Sequence, residues 1–195
     1  MNTADRDGTI ETPLFSRRAA LALPGLACFL AAAQPDTGGT QPAPANSAGR
    51  DSETPAMVAF VLRHCETGGD NSSDPVLSRF GRDRAARVGA MLRSVGVHRI
   101  LHTATARSRE TAMEISTATG VAAGSYDAFD AEPVTKRMIE RGGVWIVVGH
   151  SNTVPEIVRK LGGDPSADVL PESVYDRVYM VVRAGGGVMT VVLHS

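Results

Sequence analysis

From Met57 onward, short apolar runs alternate with longer stretches whose apolar residues recur at helical spacing. Met57 to Leu62 (MVAFVL) and Val144 to Val148 (VWIVV) suit buried strands. Val97 to His102 reads as a further strand, and Val121 to Tyr126 as a short one. Helices fall between them. Ser78 can cap one that runs to about Val95, with Phe80, Val88, Leu92 and Val95 on one face. A second runs from Thr105 to Thr119, with Ala112, Ile115 and Ala118 facing in and Gly120 stopping it. A third covers Glu132 to Arg141, before a Gly142-Gly143 turn. Val154, Ile157, Val158 and Leu161 form the stripe of a fourth, ended by Gly162-Gly163. Arg177 to Arg183 and Val188 to His194 read as a closing strand pair that turns at Gly185-Gly186-Gly187. This alternation predicts a single α/β domain of three layers, a mostly parallel sheet flanked by helices, over residues 56–195.

The preceding residues follow another pattern. Residues 1–33 have the layout of an export signal peptide: a polar start, Arg17-Arg18, then an apolar run from Ala19 to Ala33. That run is too short for a membrane span, and Ala31-Ala32-Ala33 suits cleavage before Gln34. Ser16 to Leu21 resembles a twin-arginine motif, with Ala20 where Phe is commoner, so the route stays open between twin-arginine and general export. Residues 34–55 are rich in Gly, Pro, Ala, Thr and Ser without an apolar period, a composition expected of a disordered linker. The expectation is an exported protein, periplasmic or secreted, with no stable membrane anchor after cleavage. Cys28 sits in a poor lipobox and is read as part of the apolar run. Its removal leaves Cys65 alone, so no internal disulfide is expected.

Charge excludes one class of partner. From Ala56 on there are 16 Lys and Arg against 15 Asp and Glu, with no basic stripe, which argues against nucleic acid. Nearly all the cations are Arg, the side chain best shaped to grip phosphate.

Ligands of open α/β sheets sit beyond the carboxyl ends of the strands. Three polar segments directly follow apolar strands: Arg63-His64, Thr103 to Arg107, and Gly149-His150-Ser151. Two Arg and two His would thus meet at one sheet edge. Arg63 and Arg107 could hold phosphoryl oxygens through planar, bidentate donors. One neutral imidazole can attack phosphorus while another donates to an equatorial oxygen. Ser151 to Thr153 would add the N–H groups of a helix start. Such a set needs no metal or other cofactor to neutralise the phosphoryl group.

Four segments carry a family resemblance. Leu62-Arg63-His64-Cys65-Glu66-Thr67 resembles the R-H-G/A-E-T signature of the histidine phosphatase superfamily, the phosphoglycerate mutase-like group. Leu77 to Arg82 resembles its "L-s-x-x-G-r" segment. Arg107-Ser108-Arg109-Glu110-Thr111-Ala112 resembles its "R-x-R-x-T-A" helix start, and Val148 to Asn152 its second histidine motif. The order is the family's. The resemblance implies a phosphoglycerate mutase-like fold and a phosphatase in which His64 becomes phosphorylated while Arg63, Arg107 and His150 bind the phosphoryl group. Its substrate would be a small phosphoester or a phosphoprotein. The chain departs from the pattern at Cys65, where Gly or Ala is usual, and at His102 to Ala106. Many members carry a proton-donating Glu after the third strand region; here Asp127, Asp130 and Glu132 are the candidates. Without room for the longer mutase insertions, hydrolysis is favoured over mutase activity.

Other readings compete. Gly149-His150-Ser151 sits where a nucleophile elbow would, which would make Ser151 a serine nucleophile, but Thr153 replaces the final Gly and only His194 lies downstream. A cysteine phosphatase would use Cys65, but its loop needs an Arg where Asn71 stands. A metal held by His64, Cys65 and Glu66 is disfavoured because adjacent residues converge poorly on one ion. A catalytically inactive phosphate-binding domain would keep the same Arg and His cluster.

Overall fold

In the computed structural model of the chain, residues 54–69 and 72–195 are described. The segments read as signal and linker lie outside the described residues, apart from Thr54 and Pro55. Ten elements follow: β1 (Met57–Arg63), α1 (Arg79–Leu92), β2 (Arg99–His102), α2 (Ala106–Thr119), β3 (Ala123–Ser125), α3 (Glu132–Arg141), β4 (Gly143–Gly149), α4 (Thr153–Lys160), β5 (Arg177–Ala184) and β6 (Gly187–His194). They build a six-stranded sheet of order β3-β2-β4-β1-β5-β6. The pairs β3–β2, β2–β4 and β4–β1 are parallel, while β5 and β6 add antiparallel.

Strand alternation sorts the core into two layers. Met57, Ala59 and Val61 of β1, with Trp145 and Val147 of β4, face Met138 of α3 and Val154, Ile157, Val158 and Leu161 around α4. The residues between them, Phe60, Leu62, Ile146 and Val148, face Val88 and Leu92 of α1 and Ala112 and Ile115 of α2. Having helices on both faces explains why β4, and β1 as far as Leu62, are apolar on both sides. The first crossovers run outward along one face and the later ones return along the other, as right-handed crossovers require.

Local chemistry sets the helix ends. Ser78 accepts from the Gly81 N–H, and Gly120 ends α2 in the left-handed conformation, φ 74°. Two expectations for α1 are corrected. Phe80 is 78% exposed, and Val95 lies past the last turn at 38%. The inward residue of the first turn is Gly81, because the Glu66 carbonyl oxygen comes within 2.1 Å of where a Cβ would stand. That close approach rotates the neighbouring Phe80 to the outside. Ala118 is exposed overall, although its methyl lies over Gly89.

Candidate active site

The parallel ladder places the site. Arg63 pairs with Gly149 at the carboxyl ends of β1 and β4, and the His64 N–H donates to the Gly149 carbonyl at 2.9 Å. His64 and His150 therefore leave adjacent strands side by side, their rings 5.4 Å apart in an edge-on arrangement. Gly149 has to lack a side chain, since its Cβ would stand 2.6 Å from Thr153 Oγ1. That same hydroxyl accepts from the His150 N–H at 2.8 Å. Arg107 arrives from the first turn of α2. Together Arg63, His64, Arg107 and His150 line a cavity of about 480 Å³, which Ser151, Glu172 and Tyr175 also border.

His64 is buried, and its Nδ1 lies 2.9 Å from the Cys65 carbonyl. A carbonyl only accepts, so the proton sits on Nδ1 and the Nε2 lone pair is free. Burial lowers the ring's pKa from 6.5 to about 4; the Cys65 carbonyl opposes this, and Arg63, His150 and Arg107 add to it. The ring is therefore neutral at ordinary pH. His150 is lowered too, chiefly by burial and then by Arg107 and Arg63. Its Nε2 is 2.8 Å from the hydroxyl of buried Thr103.

Both arginines are held by protein carboxylates. Arg63 donates from Nη2 to Glu172 Oε2 at 2.7 Å and from Nη1 to the carbonyls of Pro171 (3.2 Å), Glu172 (2.9 Å) and Val174 (3.5 Å), and its guanidinium stacks over Tyr175 at 4.3 Å. Its buried Nε has no protein partner. Arg107 pairs with Asp74 at 3.4 Å, and Asp74 also accepts from the Ala106 N–H that opens α2. Thr111 ties the parts together: its hydroxyl accepts from the Cys65 N–H at 3.1 Å and donates to the Arg107 carbonyl at 2.9 Å. Glu110 accepts from the Leu77 N–H at 2.9 Å.

The rival readings fare differently. Ser151 Oγ approaches Glu172 Oε1 at 3.5 Å, while His194 pairs with Asp176, so no Ser-acid-His triad is assembled around Ser151. Burial pushes the Cys65 thiol up to about 12, and it packs with Leu77 and Ala85. His64, Cys65 and Glu66 diverge: Glu66 turns to Arg84, which grips both its oxygens. Of the proton-donor candidates, Glu132 pairs with Lys160, and Asp130 accepts from the Glu132 N–H and borders a separate cavity. Asp127 borders a cavity that also meets Arg107 and His150.

The sequence reading did not anticipate Thr103's contact with His150 or the roles of Asp74, Glu172 and Tyr175. Thr103 was flagged only as following a strand. The others belong to loops without periodicity, and their sole signal was proximity to turn residues.

With this geometry in place, comparison with known proteins defines the class. The family model described as "Histidine phosphatase superfamily (branch 1)" matches residues 59–130, from β1 past α2 and β3. Comparison with curated proteins finds no match. Among solved structures, the protein histidine phosphatase SixA complexed with tungstate is similar at TM-score 0.57 and 20% identity, covering 69% of this chain and 94% of that one. A mycobacterial glucosyl-3-phosphoglycerate phosphatase gives 0.57 at 14% identity, covering 71% and 98%. A phosphoglycerate mutase from Bacillus anthracis gives 0.53 at 14% identity, covering 75% and 95%. The domain thus has the phosphoglycerate mutase-like fold and carries the sequence signature of the histidine phosphatase superfamily. That family-level match supports a phosphatase.

Proposed function

We propose that this protein is a metal-independent phosphatase that hydrolyses phosphomonoesters, or a phosphoprotein, through a phosphohistidine on His64. The observation that carries the reading is the His64 ring: buried, neutral, with its proton fixed on Nδ1 by a carbonyl, in a cavity lined by two arginines and a second histidine.

The steps follow from those atoms. The phosphoryl group lies between Arg63 and Arg107, whose positive N–H donors offset the charge on its oxygens, and His150, which adds a neutral N–H donor. His64 Nε2 attacks phosphorus, the bond to the ester oxygen breaks, and the leaving oxygen takes a proton from solvent water. The Cys65 carbonyl stabilises the Nδ1 proton as charge builds on the ring. Water then attacks phosphorus, the P–N bond breaks, the water's proton is released, and inorganic phosphate leaves. Thr103 orients His150: with the hydroxyl donating to Nε2, Nδ1 carries the proton and is left to donate to an equatorial oxygen.

Rapid quench with labelled substrate tests this. A base-stable, acid-labile phosphoryl group should map to the His64 peptide in the presence of EDTA. His64→Ala should abolish turnover, while Cys65→Ala and Ser151→Ala keep most of it, because neither side chain forms a bond in these steps. Label on Ser151 or Cys65, or activity that a divalent metal alone restores after EDTA, would overturn the proposal.

A further inference from the structure

A second cavity, about 590 Å³, adjoins the phosphoryl pocket and shares Arg107 and His150 with it. Ala104, Ala128 and Phe129 form its apolar lining, and Phe129 is 100% exposed. Its ring is therefore free to pack against an apolar group that enters beside Arg107 and His150. Nor is its position loose: the Phe129 N–H donates to Asp127 Oδ1 at 2.9 Å, an Asx turn that sets the residue at the cavity rim. Arg107 supplies the only positive charge among the lining residues, and it faces the phosphoryl group as well. Asp127 lines the same wall with a negative charge.

We infer that this cavity receives the leaving group, and that it selects phosphomonoesters whose leaving group is uncharged and carries an aromatic or other flat apolar body. The inference rests on the phosphatase reading above. A leaving group with a carboxylate or second phosphate would meet Asp127 and find no free cation to offset it. A flat ring, in contrast, can cover Phe129 face to face or edge to face. Alcohol phosphates without an apolar body would fill only the phosphoryl pocket and gain nothing from this wall.

Unreactive phosphonates separate binding from chemistry. Calorimetry on the full chain would compare inorganic phosphate, methylphosphonate, benzylphosphonate and phosphonoacetate. Benzylphosphonate should bind about two- to twelvefold more tightly than methylphosphonate, the range expected of one aromatic contact. Phe129→Ala should remove that advantage while inorganic phosphate binding still reports a formed pocket. Phosphonoacetate should bind more weakly than benzylphosphonate, and Asp127→Asn, which keeps the Oδ1 contact but not the charge, should narrow the gap. If phosphate binds but benzylphosphonate gains nothing over methylphosphonate, or keeps its gain in Phe129→Ala, the leaving-group assignment fails and the phosphoryl pocket stands. If inorganic phosphate itself does not bind, both readings fall.

Discussion

Replacing Glu172 by Gln should tighten the binding of inorganic phosphate. The carboxylate occupies Arg63 Nη2 at 2.7 Å, and the other Arg63 Nη is turned to backbone carbonyls. An incoming phosphoryl oxygen must displace the carboxylate or stand beside a like charge. Two unit charges about 4 Å apart interact by about 1 kcal/mol in water and about 4 kcal/mol at an effective dielectric constant of 20. The Glu172 side chain is 82% exposed and well screened, which favours the lower figure. About 1 kcal/mol corresponds to about fivefold in affinity. Gln keeps the shape, and the carbonyls of residues 171, 172 and 174 still anchor the guanidinium. The assay is competitive inhibition of a phosphomonoester by inorganic phosphate at fixed ionic strength. The Ki should fall by about fivefold, and the gain should shrink as salt is added. Arg63 holds the Glu172 carboxyl below its ordinary range, so acidification within the neutral region should not mimic the substitution. An unchanged or weaker Ki in Glu172→Gln would refute the idea that this carboxylate competes for Arg63.

Four further outcomes follow from the structure. An NMR titration should find the His64 ring protonating near pH 4 instead of 6.5. Because the unfolded ring binds its proton first, stability should drop as pH falls from 6.5 towards 4, by up to about 3 kcal/mol, and His64→Gln should flatten that slope. Thr103→Val should lower kcat by on the order of tenfold with a smaller change in KM and a shifted His150 titration, and Thr103→Ser should restore all three. Gly81→Ala should cost about 2–4 kcal/mol in chemical denaturation, because the new methyl meets the rigid Glu66 backbone, whereas Ala at exposed Gly69 should cost little.

The parts visible in the sequence are those governed by period and by strand ends. The α3 bounds Glu132–Arg141 match the expected helix, since Pro133 opens it and Gly142 closes it. The rule that polar residues after apolar strands share one sheet edge brought Arg63, His64, Arg107 and His150 together before any coordinates. The α1 face failed at Phe80 because a backbone approach, invisible to hydropathy, reserved the inner position for Gly81. Glu172 and Asp74 escaped notice for a related reason. Their contacts to Arg63 and Arg107 join residues 109 and 33 positions apart and depend on how two aperiodic loops pack.

The place of β4 in the sheet has a consequence for the order in which the protein assembles. β4 is the last of the parallel strands to be synthesised, yet it lies between β2 and β1, which precede it. The two older strands must stay unpaired with each other until the third crossover delivers their common neighbour. During that interval an emerging chain exposes two apolar strand edges, the kind of surface that invites mispairing and chaperone capture. The insertion of β4 that joins the parallel strands also carries His150 to the side of His64. The pairing of the two histidines therefore arrives with one late, non-local event.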